Sequence, residues 1–168
     1  MITTNPLRQP PGDKLRFLAE TVLAAADLLR ITDGRLFAVP MDTHRAASLR
    51  QDIELSERVD AFVARFGRLQ DTIGDKLLPL ALAWVAEPVG PTIDNLIRAE
   101  RLGWIVPAAD WMESRQLRNF MIHEDVRDMA LLASALTKGH RAVPLLISSA
   151  TTLADLVLSA GKPGNHGA

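Results

Sequence analysis

The sequence predicts an all-α protein, a helical bundle with short connections in one domain. Three observations point there. Apolar residues recur at spacings of three and four along most of the chain, the period of helices that each bury one face. The one extended-looking piece, residues 36–40, is too brief to found a sheet. Breaks carrying Gly and Pro are short, which suits helices packed as neighbours.

Taken in order, Asp13 is placed to cap a first helix after Pro10, Pro11 and Gly12. Leu15, Leu18, Val22, Ala25, Ala26 and Leu29 form its buried stripe, and Thr32, Asp33 and Gly34 are expected to end it. Thr43 is the expected cap of a second helical region. Its stripe runs through Leu49, Ile53, Leu55, Val59, Phe62, Val63, Phe66, Leu69, Ile73 and Leu77. That stripe outruns an average helix, so a break is expected near Leu55 and Ser56. Pro79 lacks an amide donor and should kink or end the helix, with residues 80–86 adding an apolar turn or two. Thr92 is the expected cap of a short helix over 93–102, closed by Gly103. A central helix follows over roughly 108–124, and a last long one over 128–159, which Gly139 and Pro144 are expected to bend or divide.

A length of 168 residues suits a single domain, with 1–11 and 161–168 as expected flexible tails. There is no cysteine, so disulfides and thiolate metal sites are excluded. The net charge of −1 offers no basic excess for bulk nucleic acid, so any such contact must come from a local patch. Of the 19 basic residues 15 are arginine, the type suited to bidentate phosphate or carboxylate contacts. Residues 1–11 contain no apolar signal region. The apolar run over 142–158 is interrupted by Pro144, Ser148, Ser149, Thr151, Thr152 and Asp155 and falls short of a membrane span. A soluble cytoplasmic protein without membrane contact is the expectation.

Residues 112–125 concentrate the polar chemistry. Arg115, Arg118, Asn119 and His123 lie among Leu117, Phe120, Met121 and Ile122. At about 100° per residue, Arg115, Asn119 and His123 follow one another along a single stripe, while Arg118 stands about 140° from His123. In a continuous helix these two do not share a narrow face. To act on one phosphate, the helix must end between them, the arginine must reach round, or a second subunit must supply one group. Histidine moves protons near neutrality and arginine holds phosphate charge. The plainer reading is a buried histidine, with arginines paired to Glu100, Glu113 or Asp125.

Arg98 and Arg101 on the short helix are candidates to extend Arg115 and Arg118 into an RNA-binding patch. Pairing with Asp94 and Glu100 is the alternative. Trp84, Trp104 and Trp111 read as core or interface residues, with base stacking the other use of such rings. His44 and His166 read as solvated, and His140 as an ordinary histidine at a helix bend. No histidine–carboxylate set has metal spacing, and Gly67, Gly74 and Gly90 compose no phosphate loop, so no metal or cofactor is expected.

The run Arg118-Asn119-Phe120-Met121-Ile122-His123 resembles the R-N-x-x-x-H signature of HEPN domains, helical proteins of prokaryotic toxin and defence systems. The lead-in Glu113-Ser114-Arg115-Gln116-Leu117, and the earlier run from Arg58 to Asp71, are similar to the HepT-like branch. The resemblance extends over about residues 14–155. It implies an up-and-down helical bundle that dimerises, sets two such motifs in one cleft and cleaves RNA without metal. Arg118 and His123 would be the catalytic pair, supported by Asn119, and a ribose 2′-hydroxyl would attack the adjacent phosphate. It further implies a toxin role beside a nucleotidyltransferase-type antitoxin. One position departs. The branch continues as H-x-Tyr, the tyrosine that the partner modifies with AMP, whereas this chain has Asp125 there and no tyrosine anywhere. A catalytically weakened or silent protein-interaction module is therefore the second reading.

Overall fold

The computed structural model describes residues 9–122 and 127–160. Those residues form helices and connecting turns, with no strand among them. Four long helices make the body: α1 (Asp13–Leu36), α3 (Ile53–Asp71), α6 (Ala108–Met121) and α7 (Met129–Ser159). Each touches two neighbours in a closed ring, α3 to α1, α1 to α7, α7 to α6 and α6 back to α3. Shorter helices α2 (Thr43–Ala47), α4 (Leu78–Trp84) and α5 (Thr92–Arg101) lie in the connections. The bundle expected from the helical period is therefore present.

The core follows the predicted stripes. Val22, Leu29, Val59, Phe62, Phe66, Leu69, Ile73 and Leu77 are fully buried, and α7 adds Leu132, Leu136, Leu146, Leu153 and Val157. Burying each large side chain contributes about 1.5–3 kcal/mol before the entropy of ordering it. Trp111 and Trp104 are core residues, as read. The Trp84 indole N–H donates to the Gln9 carbonyl at 3.1 Å, and Pro11 is buried, so residues 9–11 lie against the bundle.

Several boundaries differ from the sequence expectation, each for a local reason. Gly12 and not Asp13 takes the first cap position, and Asp13 opens α1 as a first-turn acid. Helix α1 runs through Gly34 to Leu36. Its end is satisfied by the Phe37 amide on the Asp33 carbonyl and by the Arg45 guanidinium on the carbonyls of Leu36 (2.8 Å) and Val39. Burial, and then the charge of Arg58, push the Arg45 pKa down. Asp42 rather than Thr43 caps α2, accepting from the Arg45 amide. The break in the second region falls at Asp52, whose carboxylate accepts the Leu55 amide at 2.9 Å and starts α3 afresh. Thr92 is the first residue of α5, and Pro91 holds the cap position. Gly103, with φ +71°, closes α5 as expected.

Pro79 neither ends nor simply kinks its helix. Thr72–Leu77 widens into a π-turn just upstream, and α4 continues through the proline. The wider turn accommodates a residue that cannot donate a backbone hydrogen bond. Helix α7 is likewise one continuous helix through Gly139 and Pro144, begun by Asp128, whose carboxylate accepts from Ala130 and Leu131. By length and composition α7 could cross a membrane. Its buried stripe packs on α1, α2 and α6.

Candidate functional site

Helix α6 carries the motif, and its neighbours are cut to receive it. It starts where the Glu100 carboxylate accepts the Ala108 amide at 2.9 Å, so Glu100 caps α6 rather than pairing with an arginine. Ala108, Trp111, Ser114 and Met121 form its buried face. The indole of Trp111 lies over Gly74 in the π-turn, within 3.6 Å of where a Cβ would stand. The buried Gln70 amide of α3 donates to the Ser114 hydroxyl at 2.7 Å, and that hydroxyl donates to the Trp111 carbonyl at 2.8 Å. A Cβ on Gly139 of α7 would meet the Met121 sulfur at 2.7 Å and the Phe62 ring at 3.4 Å. Glycines are costly inside helices, so those at 67 and 139 mark places where an α6 side chain needs the space.

The two arginines face α3 and the π-turn, antiparallel to α6. Arg118 donates from Nη1 to both oxygens of Asp71, at 2.8 and 2.9 Å, and its guanidinium lies against the backbone of Gly67. Arg115 stands 3.5 Å from Asp75. The expected partners Glu100 and Glu113 are thus replaced by Asp71 and Asp75. Arg118 and Asp71 are 37% and 39% exposed, which limits the pair's worth to stability to about 1 kcal/mol or less but keeps the guanidinium within reach of a ligand. Asn119 is exposed one residue beyond it.

The central helix is shorter than the sequence suggested. It ends at Met121, and Ile122 turns the chain into an extended conformation (φ −73°, ψ 113°). Met121, fully buried against Gly139, fixes that end. The helical geometry that would set residues five apart about 140° from one another stops at Met121. His123 and Asp125 lie outside the described residues.

The remaining described candidates stand on other helices. Arg98 is half-buried over Gly90 beside Asp94, with Nη1 buried and without a hydrogen-bond partner among the described residues. Arg101 is exposed near the end of α5. Both stand on α5, whereas Arg115 and Arg118 stand on α6. His140 bonds through Nδ1 to Asp33 at 2.7 Å and stacks on Phe37, tying α7 to α1. His44 is exposed, as read, and His166 lies outside the described residues. No group of three or more potential metal-ligating residues occurs among the described residues.

Sequence reasoning missed Gly67, Asp71 and Asp75 as parts of the site. Their carboxylates looked like members of a solvated helix face. The usable signal was the glycine itself, an interior helical glycine one turn before an aspartate. Compared with protein-family models, curated proteins and solved structures, the chain matches none.

Proposed function

We propose that the chain is a HEPN-type, metal-independent endoribonuclease, the toxin of a toxin–antitoxin pair acting in the cytoplasm as a homodimer. The observation that carries the reading is the end of α6 at Met121, between Arg118 and His123. A continuous helix would hold these residues about 140° apart, and α6 does not continue past Met121. In the proposed reaction His123 accepts the proton of a ribose 2′-hydroxyl. The oxygen attacks the adjacent phosphorus, Arg118 holds the phosphoryl oxygens, and the 5′-oxygen leaves with a proton taken from water. Asn119, exposed beside Arg118, orients substrate or histidine. The products are a 2′,3′-cyclic phosphate and a 5′-hydroxyl. Phe120 and Leu131, which line one groove between α6 and α7, and the half-exposed Ile122 offer an apolar surface for the second copy. The chain has no tyrosine to receive AMP, so a nucleotidyltransferase-type antitoxin would neutralise it by binding or by modifying another group.

End-group analysis of RNA exposed to the purified protein tests the chemistry. Cyclic phosphate ends support it; 3′-hydroxyl ends would point to a different reaction. The second reading, a silent interaction module, draws on the engagement of Arg118 with Asp71 and on Asp125 in place of the expected tyrosine. It predicts a folded protein that binds a partner protein and cleaves no RNA at any salt concentration.

A further inference from the structure

We propose that Gly67 and Asp71 of α3 are positioning residues for Arg118, a cradle that sets its guanidinium for one phosphoryl group. The proposal rests on the reading of Arg118 as the phosphate-binding group. A Cβ at position 67 would lie 2.7 Å from Arg118 Nε and 3.0 Å from its Cδ and Cζ, so the guanidinium and the end of its stem rest on bare helix backbone. One helical turn on, Asp71 grips Nη1 with both carboxylate oxygens. A long arginine in an ordinary surface ion pair samples many rotamers. This one is held at two places, its Cδ and Nε against Gly67 and its Nη1 on Asp71. Both bonds are made by Nη1, so among the described residues Nη2 has no hydrogen bond and is open to a phosphoryl oxygen.

The neighbouring pair shows the contrast. Arg115 and Asp75 approach only to 3.5 Å, and among the described residues no glycine lies against that arginine. The tight arrangement is confined to the motif arginine. Asp71 also has an electrostatic effect. Its negative charge beside the guanidinium weakens the pull on a phosphate while fixing its direction, so orientation and attraction are set against each other.

That opposition supplies the test. Gly67→Ala, Asp71→Asn and Arg118→Ala are compared with the parent for single-turnover RNA cleavage and for affinity to RNA carrying 2′-O-methyl groups. Exchange of the Arg118 Nε–H with water is followed by NMR. Asp71→Asn is expected to slow cleavage about tenfold to a hundredfold without weakening RNA binding. Gly67→Ala is expected to approach Arg118→Ala in cleavage. Both are expected to speed Nε–H exchange. A merely structural role would not separate rate from affinity. If Gly67→Ala and Asp71→Asn cleave at the parent's rate while Arg118→Ala does not, the cradle is overturned and the reading of Arg118 stands. If Arg118→Ala cleaves like the parent, or the parent does not cleave at all, the reading fails and takes the proposal with it.

Discussion

Gly139→Ala tests whether α6 is locked into the bundle at the point where the motif leaves the helix. In isolation the substitution favours α7, because alanine exceeds glycine in helix propensity by about 1 kcal/mol. The structure opposes that gain. The new Cβ would meet the Met121 sulfur at 2.7 Å and the Phe62 ring at 3.4 Å. Methionine is flexible, yet Met121 and Phe62 are both fully buried and neither has free space to enter. Overpacking of this kind costs about 1–3 kcal/mol, so the net expectation runs from neutral to about 2 kcal/mol destabilising. For a chain of this length 1 kcal/mol moves Tm by roughly 2–4 °C. Thermal unfolding of Gly139→Ala, Met121→Ala and the double variant gives a full cycle. Met121→Ala alone should cost about 2–5 kcal/mol through its cavity. The double variant should be more stable than the sum of the single effects by about 1 kcal/mol or more, because the added methyl fills space that the methionine left. A rise in Tm for Gly139→Ala alone, with simple additivity in the double variant, would refute the close approach and the fixed end of α6.

Three other outcomes follow from the same contacts. Ser114→Ala removes the partner of the Gln70 amide, whose Oε1 already lacks a partner among the described residues, and should cost about 1–3 kcal/mol in denaturant unfolding. Adding Gln70→Leu should restore most of that loss, since an apolar pair leaves no polar group stranded. Asp71→Asn should shift stability by about 1 kcal/mol or less, because both members of its ion pair are more than a third exposed. Phe120→Asp should leave stability within about 0.5 kcal/mol yet shift light scattering from dimer toward monomer, since this half-exposed ring belongs to the proposed subunit contact.

The all-helical bundle was legible because the spacing of apolar residues reports burial directly, and the stripes through Val59, Phe62, Phe66 and Ile73 are the core. Helix ends were less legible, because they depend on which neighbour satisfies the terminal backbone groups. Arg45 closing α1 across the turn to α2 is a tertiary contact that no local pattern announces. The continuation past Pro79 depended on a π-turn, and the sequence signals the proline but not the turn that accommodates it. Arg115 and Arg118 were legible as unusual on an otherwise apolar helix. Their partners were not, since pairing with Asp71 and Asp75 is set by how α3 lies beside α6. Gly67 and Gly139 carried a readable trace of that packing, as costly helical residues that need a reason.

The account's central claim is that Arg118 and His123 act together on one RNA phosphate. The most direct measurement is cleavage of a mixed RNA pool in EDTA by the purified parent, with Arg118→Ala and His123→Ala run beside it at matched folding and oligomeric state. The account predicts cleavage by the parent without metal and a loss of about 100-fold or more in each variant. Equal cleavage by all three proteins, or none by a folded dimeric parent, would contradict it.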